Sequence, residues 1–257
     1  MDRTLFTPPM IETFRACRRA YQLAYVELRE RKEPANSICK RFILRALAEI
    51  NRGRLTTVSQ VQKYMGQTWP VEKLGPDEAV KAFLFAYKTL TNSVISRYKP
   101  DQSRVVGVSL RVRARIPHER VYLEDTFDLI LWYPEERRLE FVDFHLHPLK
   151  PFNPVWPPAT VLVKQFLAER LRCRWPFEKL SMTFCRIGPR GFNPVSISLD
   201  EAVYRLHWPE LTKTIAEMNE PAQYPPHRDT QCSRCQLLEQ AAPAGLVGEA
   251  QPLWRTA

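Results

Sequence analysis

The sequence predicts an α/β (α+β) fold in which a mixed central sheet is flanked by helices, and three observations lead to this prediction. Helical periodicity dominates about the first 100 residues, whereas alternation of apolar and polar residues begins at Arg104. A proline-rich connection at 148–158 leads back to a helical pattern, and further strand patterns follow it. Helices, a meander of strands, a crossover helix and more strands are typical of layered α/β cores.

The chain is long enough for one substantial core. With 257 residues and 44% hydrophobic content, we expect a single domain at 1–220, with a helical portion at about 1–100 and a sheet core at about 101–220. A tail follows at 221–257. Because no apolar run reaches the roughly 18 residues that span a bilayer and no secretory signal begins the chain, we predict a cytoplasmic protein without membrane contact.

Charge favours an anionic partner. Lysine and arginine outnumber aspartate and glutamate by 38 to 28, which gives a net charge of +10. A basic protein of this kind can bind DNA, although a plain basic surface accounts for the same count.

Four helices are predicted before the sheet, each from apolar residues that recur every three or four positions. They cover Pro9–Arg31, a segment from a cap at Asn36 or Ser37 to Ile50, Thr57–Trp69 and Pro76–Tyr98. The last of them is expected to turn five apolar side chains inward, namely Val80, Phe83, Leu84, Tyr87 and Leu90.

The alternating segment Arg104–Ile116 is predicted to be a strand that carries Arg111, Arg113 and Arg115 on one face. Such a row can line a DNA channel, or it can be an ordinary solvated face, and the pattern leaves both open.

A β-hairpin is predicted at Val121–His147, with its turn at Pro134–Arg137. A turn centred between Glu135 and Glu136 pairs Trp132 with Leu139, Ile130 with Phe141, and Asp128 with Asp143. Opposed carboxylates repel each other, so this end of the hairpin indicates either a divalent metal between them or a solvated edge. After the hairpin we predict a helix at Ala159–Cys173, strands at Lys179–Ile187 and Val195–Leu199, and a final helix from a cap at Asp200 to Met218.

Four short motifs follow a known order along the chain. They are Phe14-Arg15-Ala16-Cys17-Arg18-Arg19-Ala20-Tyr21, Asp125-Thr126-Phe127-Asp128, Val142-Asp143-Phe144-His145 and Gln165-Phe166-Leu167-Ala168. Together they resemble the PD-(D/E)XK nuclease superfamily, and within it the RecB-like branch that includes the iron–sulfur exonucleases of CRISPR adaptation. The resemblance implies a restriction-endonuclease-like core.

The resemblance also implies roles for particular residues. Asp128 and Asp143 would hold Mg²⁺ or Mn²⁺, which activates a water for phosphodiester hydrolysis, and Gln165 would orient a phosphate or support the fold. His145 stands where the family has a catalytic lysine, and Asp125 stands where it has a glycine. Two lysines further along the chain are candidates for a displaced catalytic lysine or for contacts to DNA, namely Lys150 and Lys164.

Cysteines depart from the family in a similar way. Cys17, Cys232 and Cys235 match three of the four thiolates that hold an iron–sulfur cluster in the family, and no cysteine follows Cys235. We therefore expect no complete cluster, and a lone zinc or cluster site on these three residues stays an alternative.

The differences from the resembling family determine which function we expect. The motif lysine, one cluster cysteine and a metal-binding histidine of the second helix, absent from Ser37–Arg41, are all missing. We expect a catalytically impaired nuclease-fold protein that is a DNA-binding or structural subunit of a nucleic-acid-processing complex. The alternatives are an active metal-dependent DNase and a protein–protein scaffold without a nucleic-acid role.

Overall fold

A computed structural model describes residues 4–27, 35–70, 72, 76–117, 119–146 and 158–220. Within these residues the chain forms a six-stranded mixed sheet flanked by helices, as the sequence predicts. The tail from 221 onward lies outside the described residues. None of the described helices has the length and apolar character needed to cross a membrane.

The sheet contains six strands among the described residues. They are β1 (Thr4–Phe6), β2 (Arg104–Arg115), β3 (Val121–Tyr133), β4 (Arg138–His145), β5 (Lys179–Gly188) and β6 (Gly191–Ser198). β2, β3 and β4 form the predicted antiparallel meander, β5 joins β4 in parallel, and β6 closes the sheet beside β5. The short strand β1, which the sequence pattern did not reveal, runs parallel to the start of β3.

The first predicted helix is broken. It consists of α1 (Pro8–Ala16), α2 (Arg18–Tyr21) and one π-helical turn (Gln22–Val26), and the chain is extended at Cys17 with φ −164°. Periodicity did not show the break because Phe14 and Tyr21 are buried on both sides of it. Their rings meet edge to face with centroids 5.3 Å apart.

The next three helices agree closely with prediction, and they are α3 (Ala35–Asn51), α4 (Val58–Thr68) and α5 (Pro76–Ile95). Thr57 caps α4 in a capping box with Gln60. One expectation about α5 is wrong, because Val80 and Leu84 are 61% and 50% exposed. The small residues Ala79 and Ala86 are buried instead, and they let α5 pack closely against its neighbours.

Two helices complete the fold. α6 (Ala159–Ala168) continues into a 3₁₀ turn (Glu169–Leu171), and α7 (Glu201–Asn219) is capped by the Asp200 carboxylate, which accepts a hydrogen bond from Ala202 N at 2.7 Å. Each face of the sheet carries its own apolar core. One core contains residues of α1, α6 and α7, and the other contains residues of α3, α4 and α5.

Candidate functional site

The candidate site lies where two strands separate. One edge of β3 pairs with β2, and the other edge pairs first with β1 at Val121–Leu123 and then with β4 at Leu129–Tyr133. Among the described strands none pairs with residues 124–128 on this second edge. We call this gap, together with Asp125, Asp128, Asp143 and Lys164 around it, the fork.

The hairpin register agrees with prediction up to the fork. Trp132 pairs with Leu139 and Ile130 with Phe141, and the last pair of the ladder joins Leu129 to Val142. The predicted partners Asp128 and Asp143 follow directly after it, where β4 moves away from β3.

A change of side-chain direction brings Asp125 into the fork. The paired residues Val108 and Leu129 pack in the core of α3 to α5, whereas Leu110 and Phe127, two positions away, pack in the opposite core. A regular strand keeps such positions on one face, so both strands reverse between these pairs. Ser109 has a left-handed φ of +49° at this point.

Lys164 extends from α6 into the fork and is 1% exposed. Its Nζ donates a hydrogen bond to the carbonyl oxygen of Thr126 at 2.9 Å. The same nitrogen forms ion pairs with Asp125 Oδ2 at 3.0 Å and with Asp143 Oδ1 at 3.1 Å. The Phe127 ring covers it, with Nζ 4.4 Å from the ring centroid.

The Asp128 carboxylate forms a hydrogen bond at the point where the backbone pairing of β3 with β4 has ended. Its Oδ2 accepts a hydrogen bond from Phe144 N at 2.9 Å, just beyond the last pair of β3 with β4. Burial and the neighbouring Asp143 carboxylate raise the pKa of Asp128 to about 6, although the Phe144 N–H and Lys164 act in the opposite direction.

The fork has three carboxyl groups and one ammonium group. Burial raises the pKa of Asp125 and of Asp143, and the partly opposing effect of Lys164 is shared between them. Burial by itself lowers the pKa of Lys164, but Asp143 and Asp125 outweigh it and the net pKa is raised. Lys164 is therefore charged at neutral pH, as is expected of an ammonium among three carboxylates.

His145 lies at the end of β4 and is neutral near pH 7. Burial, together with the positive charges of Lys40 and Lys164, lowers the pKa of His145 to about 4. Its Nε2 is buried and has no hydrogen-bond partner among the described residues, and its ring centroid lies 5.8 Å from that of Phe184. The residue at the family's lysine position thus supplies no cation.

The carboxylates have the right chemistry for Mg²⁺ or Mn²⁺, but Lys164 leaves no room for such an ion between Asp125 and Asp143. A Mg²⁺ ion lies about 2.1 Å from its oxygen ligands. Between Asp125 Oδ2 and Asp143 Oδ1 that volume is taken by Nζ of Lys164, which is 3.0 and 3.1 Å from these two atoms. Within the described residues no group of three or more His, Cys, Asp and Glu side chains is arranged to hold a metal ion.

The predicted arginine row lies on β2 beside the fork segment of β3, where Arg111 pairs with Thr126. Arg111, Arg113 and Arg115 are exposed on β2, so their predicted common face is confirmed. Each has a contact nearby: Arg111 lies 3.6 Å from Glu124 Oε1, Arg113 stacks on the Tyr122 ring at 4.8 Å, and Arg115 donates to Glu119 O at 2.7 Å.

The remaining predicted residues are not at the fork or are not described. Gln165 is buried, and its Nε2 donates toward the carbonyl oxygen of Asp200 at 3.5 Å, on the α7 side of α6. Cys17 is a buried helix cap whose Sγ accepts a hydrogen bond from Ala20 N at 3.4 Å. Three candidates lie outside the described residues, namely Lys150, Cys232 and Cys235.

Sequence reasoning gave no role to two residues that act at the fork. The sequence showed Asp125 only as a replacement for a glycine of the resembling motif. In the structure its Oδ1 accepts a hydrogen bond from Thr126 N at 2.8 Å. Lys40 of α3 lies near enough to lower the pKa of both Asp128 and Asp143. An acidic residue in place of the glycine, with a lysine on the following helix, is the signal that could have indicated their pairing.

Comparisons with known proteins leave the family open. No protein-family model matches the sequence, and no curated protein matches it. Among solved structures, the chain is similar to a "Putative exonuclease" from Eubacterium rectale at 10% identity and a TM-score of 0.48, over 91% of this chain and 88% of that one. It is also similar to SSO0001 at 13% identity and a TM-score of 0.26, over 71% of this chain and 87% of that one.

Proposed function

We propose that this chain is a catalytically impaired nuclease-fold protein that works as a DNA-binding or structural subunit of a nucleic-acid-processing complex. The observation that carries the proposal is the neutral, half-buried His145 close to Asp143, where the resembling nucleases have a lysine. Phosphodiester hydrolysis needs positive charge next to the phosphate, and an uncharged imidazole supplies none.

The fork supports a nuclease ancestry. Asp125, Asp128 and Asp143 are each largely shielded from water at one point of the sheet, an arrangement that costs free energy in folding. Such a cluster is more readily explained as a former catalytic centre than as a means of stabilising the sheet. The narrower likeness to RecB-like exonucleases of CRISPR adaptation stays a prediction from the motifs.

The arginine row supports contact with DNA. Arg111, Arg113 and Arg115 project from one face of β2 and are exposed, so a phosphate backbone can reach them. Their present contacts are one long ion pair, one aromatic ring and one backbone carbonyl. Exposed contacts of this kind are weak, and a phosphate group can replace them at little cost.

A DNA-binding measurement tests the proposal. We expect the chain to bind a fluorescent DNA duplex with an affinity that falls steeply from 50 to 200 mM salt, values chosen to span the usual range of counterion release. Changing Arg111, Arg113 and Arg115 together to glutamine should lower the salt slope by about 3 if each contacts one phosphate. The matched control changes three exposed helical lysines to glutamine, namely Lys63, Lys88 and Lys213.

The catalytic half of the proposal has its own test. We expect the wild-type chain, incubated with Mn²⁺ or Mg²⁺, to cleave single- and double-stranded DNA no faster than an Asp143→Ala variant does. Metal-dependent cleavage that Asp143→Ala abolishes would show an active enzyme instead.

An active metal-dependent DNase is the second candidate, and one observation favours it. Lys164 reaches the carboxylates from α6, so a lysine is present at the fork although β4 lacks one. In that case Lys164 would have to leave Asp125 and Asp143 before a metal ion could bind between them. Absence of DNA binding even at low salt would leave neither nucleic-acid role and favour a protein–protein scaffold.

A further inference from the structure

The chain itself supplies the cation of the fork. Nζ of Lys164 lies 2.9 Å from the Thr126 carbonyl oxygen, 3.0 Å from Asp125 Oδ2 and 3.1 Å from Asp143 Oδ1. An ammonium group has three N–H donors and no acceptor, so three oxygens are as many as it needs. Because the side chain is 1% exposed, water does not compete for these contacts.

The oxygens around Nζ have few other partners. Asp125 Oδ2 and Asp143 Oδ1 are buried and have no partner other than Lys164 among the described residues, so Lys164 is what compensates them. Asp125 Oδ1 is held by Thr126 N at 2.8 Å, which turns the second oxygen toward the fork. Buried carboxylate oxygens without hydrogen bonds require a cation.

We propose that Lys164 is a resident cation that fills a latent divalent-metal position between Asp125 and Asp143, and that removal of its side chain opens this position to Mg²⁺ or Mn²⁺. The inference rests on the proposed function and deepens it. It assigns the impairment to exclusion of the metal by Lys164 rather than to loss of the carboxylates.

Occupation by lysine and by metal is mutually exclusive. An ion about 2.1 Å from both carboxylate oxygens would fall inside the volume of the ammonium group. Two positive centres at this separation also repel each other strongly in a buried site. The wild-type chain therefore has no room for a divalent metal between Asp125 and Asp143 while Lys164 is in place.

Lys164→Ala in the full chain tests the inference. Alanine leaves both space and uncompensated carboxylates, so this variant should be destabilised and then recover with Mn²⁺. At a Mn²⁺ concentration about 100-fold above the dissociation constant, its Tm should rise by about 5 °C or more. Wild type should shift by no more than about 1 °C, because its site is already filled.

Two variants control for space and for the ligands. Lys164→Met removes the charge but fills the space, so Mn²⁺ should not raise its Tm beyond the wild-type response. Asp125→Asn combined with Lys164→Ala should lose most of the recovery, because one of the two anionic ligands is gone. A folded Lys164→Ala chain that does not respond to Mn²⁺ would overturn the inference.

A second measurement decides the matter if Lys164→Ala does not fold. Electron paramagnetic resonance of free Mn²⁺ counts the ions bound by the wild-type chain, and comparison with Asp143→Ala isolates those at the fork. We expect no difference between the two counts. A bound ion that is present in wild type and lost in Asp143→Ala would contradict the inference.

The outcomes separate this inference from the proposed function. DNA binding depends on the exposed arginine row of β2, whereas Mn²⁺ recovery depends on the buried fork. Recovery without DNA binding would reject the proposed function and keep the latent site. DNA binding without recovery would reject the latent site only.

Discussion

Two buried charged clusters lie on the same hairpin and differ in their balance of charge. The fork brings Asp125, Asp128 and Asp143 around the single ammonium of Lys164. The second cluster surrounds Glu140 of β4, which is 4% exposed, and lies on the opposite face of the sheet, where Tyr133 belongs to the core of α3 to α5.

Every partner of the Glu140 carboxylate stabilises its negative charge. Tyr133 Oη donates to Glu140 Oε2 at 2.7 Å, Arg138 Nη1 lies 3.0 Å from the same oxygen, and Thr183 Oγ1 donates to the other oxygen. The Arg138 guanidinium also stacks on the Tyr133 ring at 3.7 Å. One carboxylate thus meets one guanidinium and two hydroxyl groups.

The difference supports the proposal that function shaped the fork, whereas the Glu140 cluster serves folding. In the second cluster the buried Glu140 carboxylate has a guanidinium, which Arg138 also shares with the exposed Glu136, and a hydroxyl donor from Thr183 of the neighbouring strand β5. The fork has three carboxyl groups for one ammonium group, an excess that folding alone does not require. A protein retains such an unfavourable site where chemistry or binding has shaped it.

The largest effect is expected from Lys164→Met. Removal of the only cation within contact of Asp125 and Asp143 among the described residues leaves buried carboxylates unpaired, and the free energy of unfolding should fall by about 4 kcal/mol. Urea denaturation at pH 8 and pH 5 measures it. Because the carboxylates then hold protons more tightly in the folded state, the loss should shrink as the pH falls. An equal loss at both pH values would contradict the charge imbalance.

Glu140→Ala should be nearly as costly, at about 3 kcal/mol, because it removes the acceptor of the Tyr133 hydroxyl and the buried carboxylate that pairs with Arg138 and Thr183. Glu140→Gln is the matched control, and it should lose less because an amide oxygen still accepts hydrogen bonds. If Glu140→Ala costs under about 1 kcal/mol, the Glu140 cluster is not the stabilising one.

Asp128→Asn should act in the opposite direction and stabilise the fold at pH 8 by about 2 kcal/mol. The pKa of Asp128 in the folded chain is about 6, above its ordinary value of about 3.9, so ionisation of this carboxyl opposes folding. Wild-type stability should therefore fall as the pH rises from about 4 to 6. Asparagine cannot ionise and still accepts from Phe144 N, so the gain over wild type should vanish near pH 4.

The smallest effect is expected from Thr183→Val, which keeps the shape of the side chain but removes one donor to Glu140. A loss of about 1 kcal/mol in the free energy of unfolding is expected, with the same value at pH 5 and pH 8. Thr212→Val, at an exposed helical threonine that bonds only a backbone carbonyl, is the control. A loss no larger than that of the control would mean that the Thr183 hydroxyl contributes nothing to the Glu140 cluster.

Local pattern in the sequence predicted most of the fold. The helices at 35–51 and 58–68, the meander and the register up to Leu129 with Val142 follow from periodicity and turn chemistry. Strand β1 escaped prediction because three residues carry too little pattern. The exposure of Val80 and Leu84 was not predicted because α5 has apolar residues on more than one face.

The candidate site could be predicted only in part, for a physical reason. Asp128 and Asp143 lie in consecutive strands, so alternation and register were enough to bring them together. Lys164 could be named only as one of two candidates for a displaced lysine, because its position depends on the reversal of strand faces near Ser109 and on the burial of α6. Tertiary packing of this kind leaves no short-range pattern.

Anomalous difference density from a crystal of the wild-type chain soaked in MnCl₂ shows whether Lys164 excludes a metal ion from the fork. We expect no manganese peak between Asp125 and Asp143, with Nζ of Lys164 in contact with both carboxylates. A manganese ion bound to these oxygens, with Lys164 displaced, would show that Lys164 does not exclude the metal and would favour catalysis by this chain.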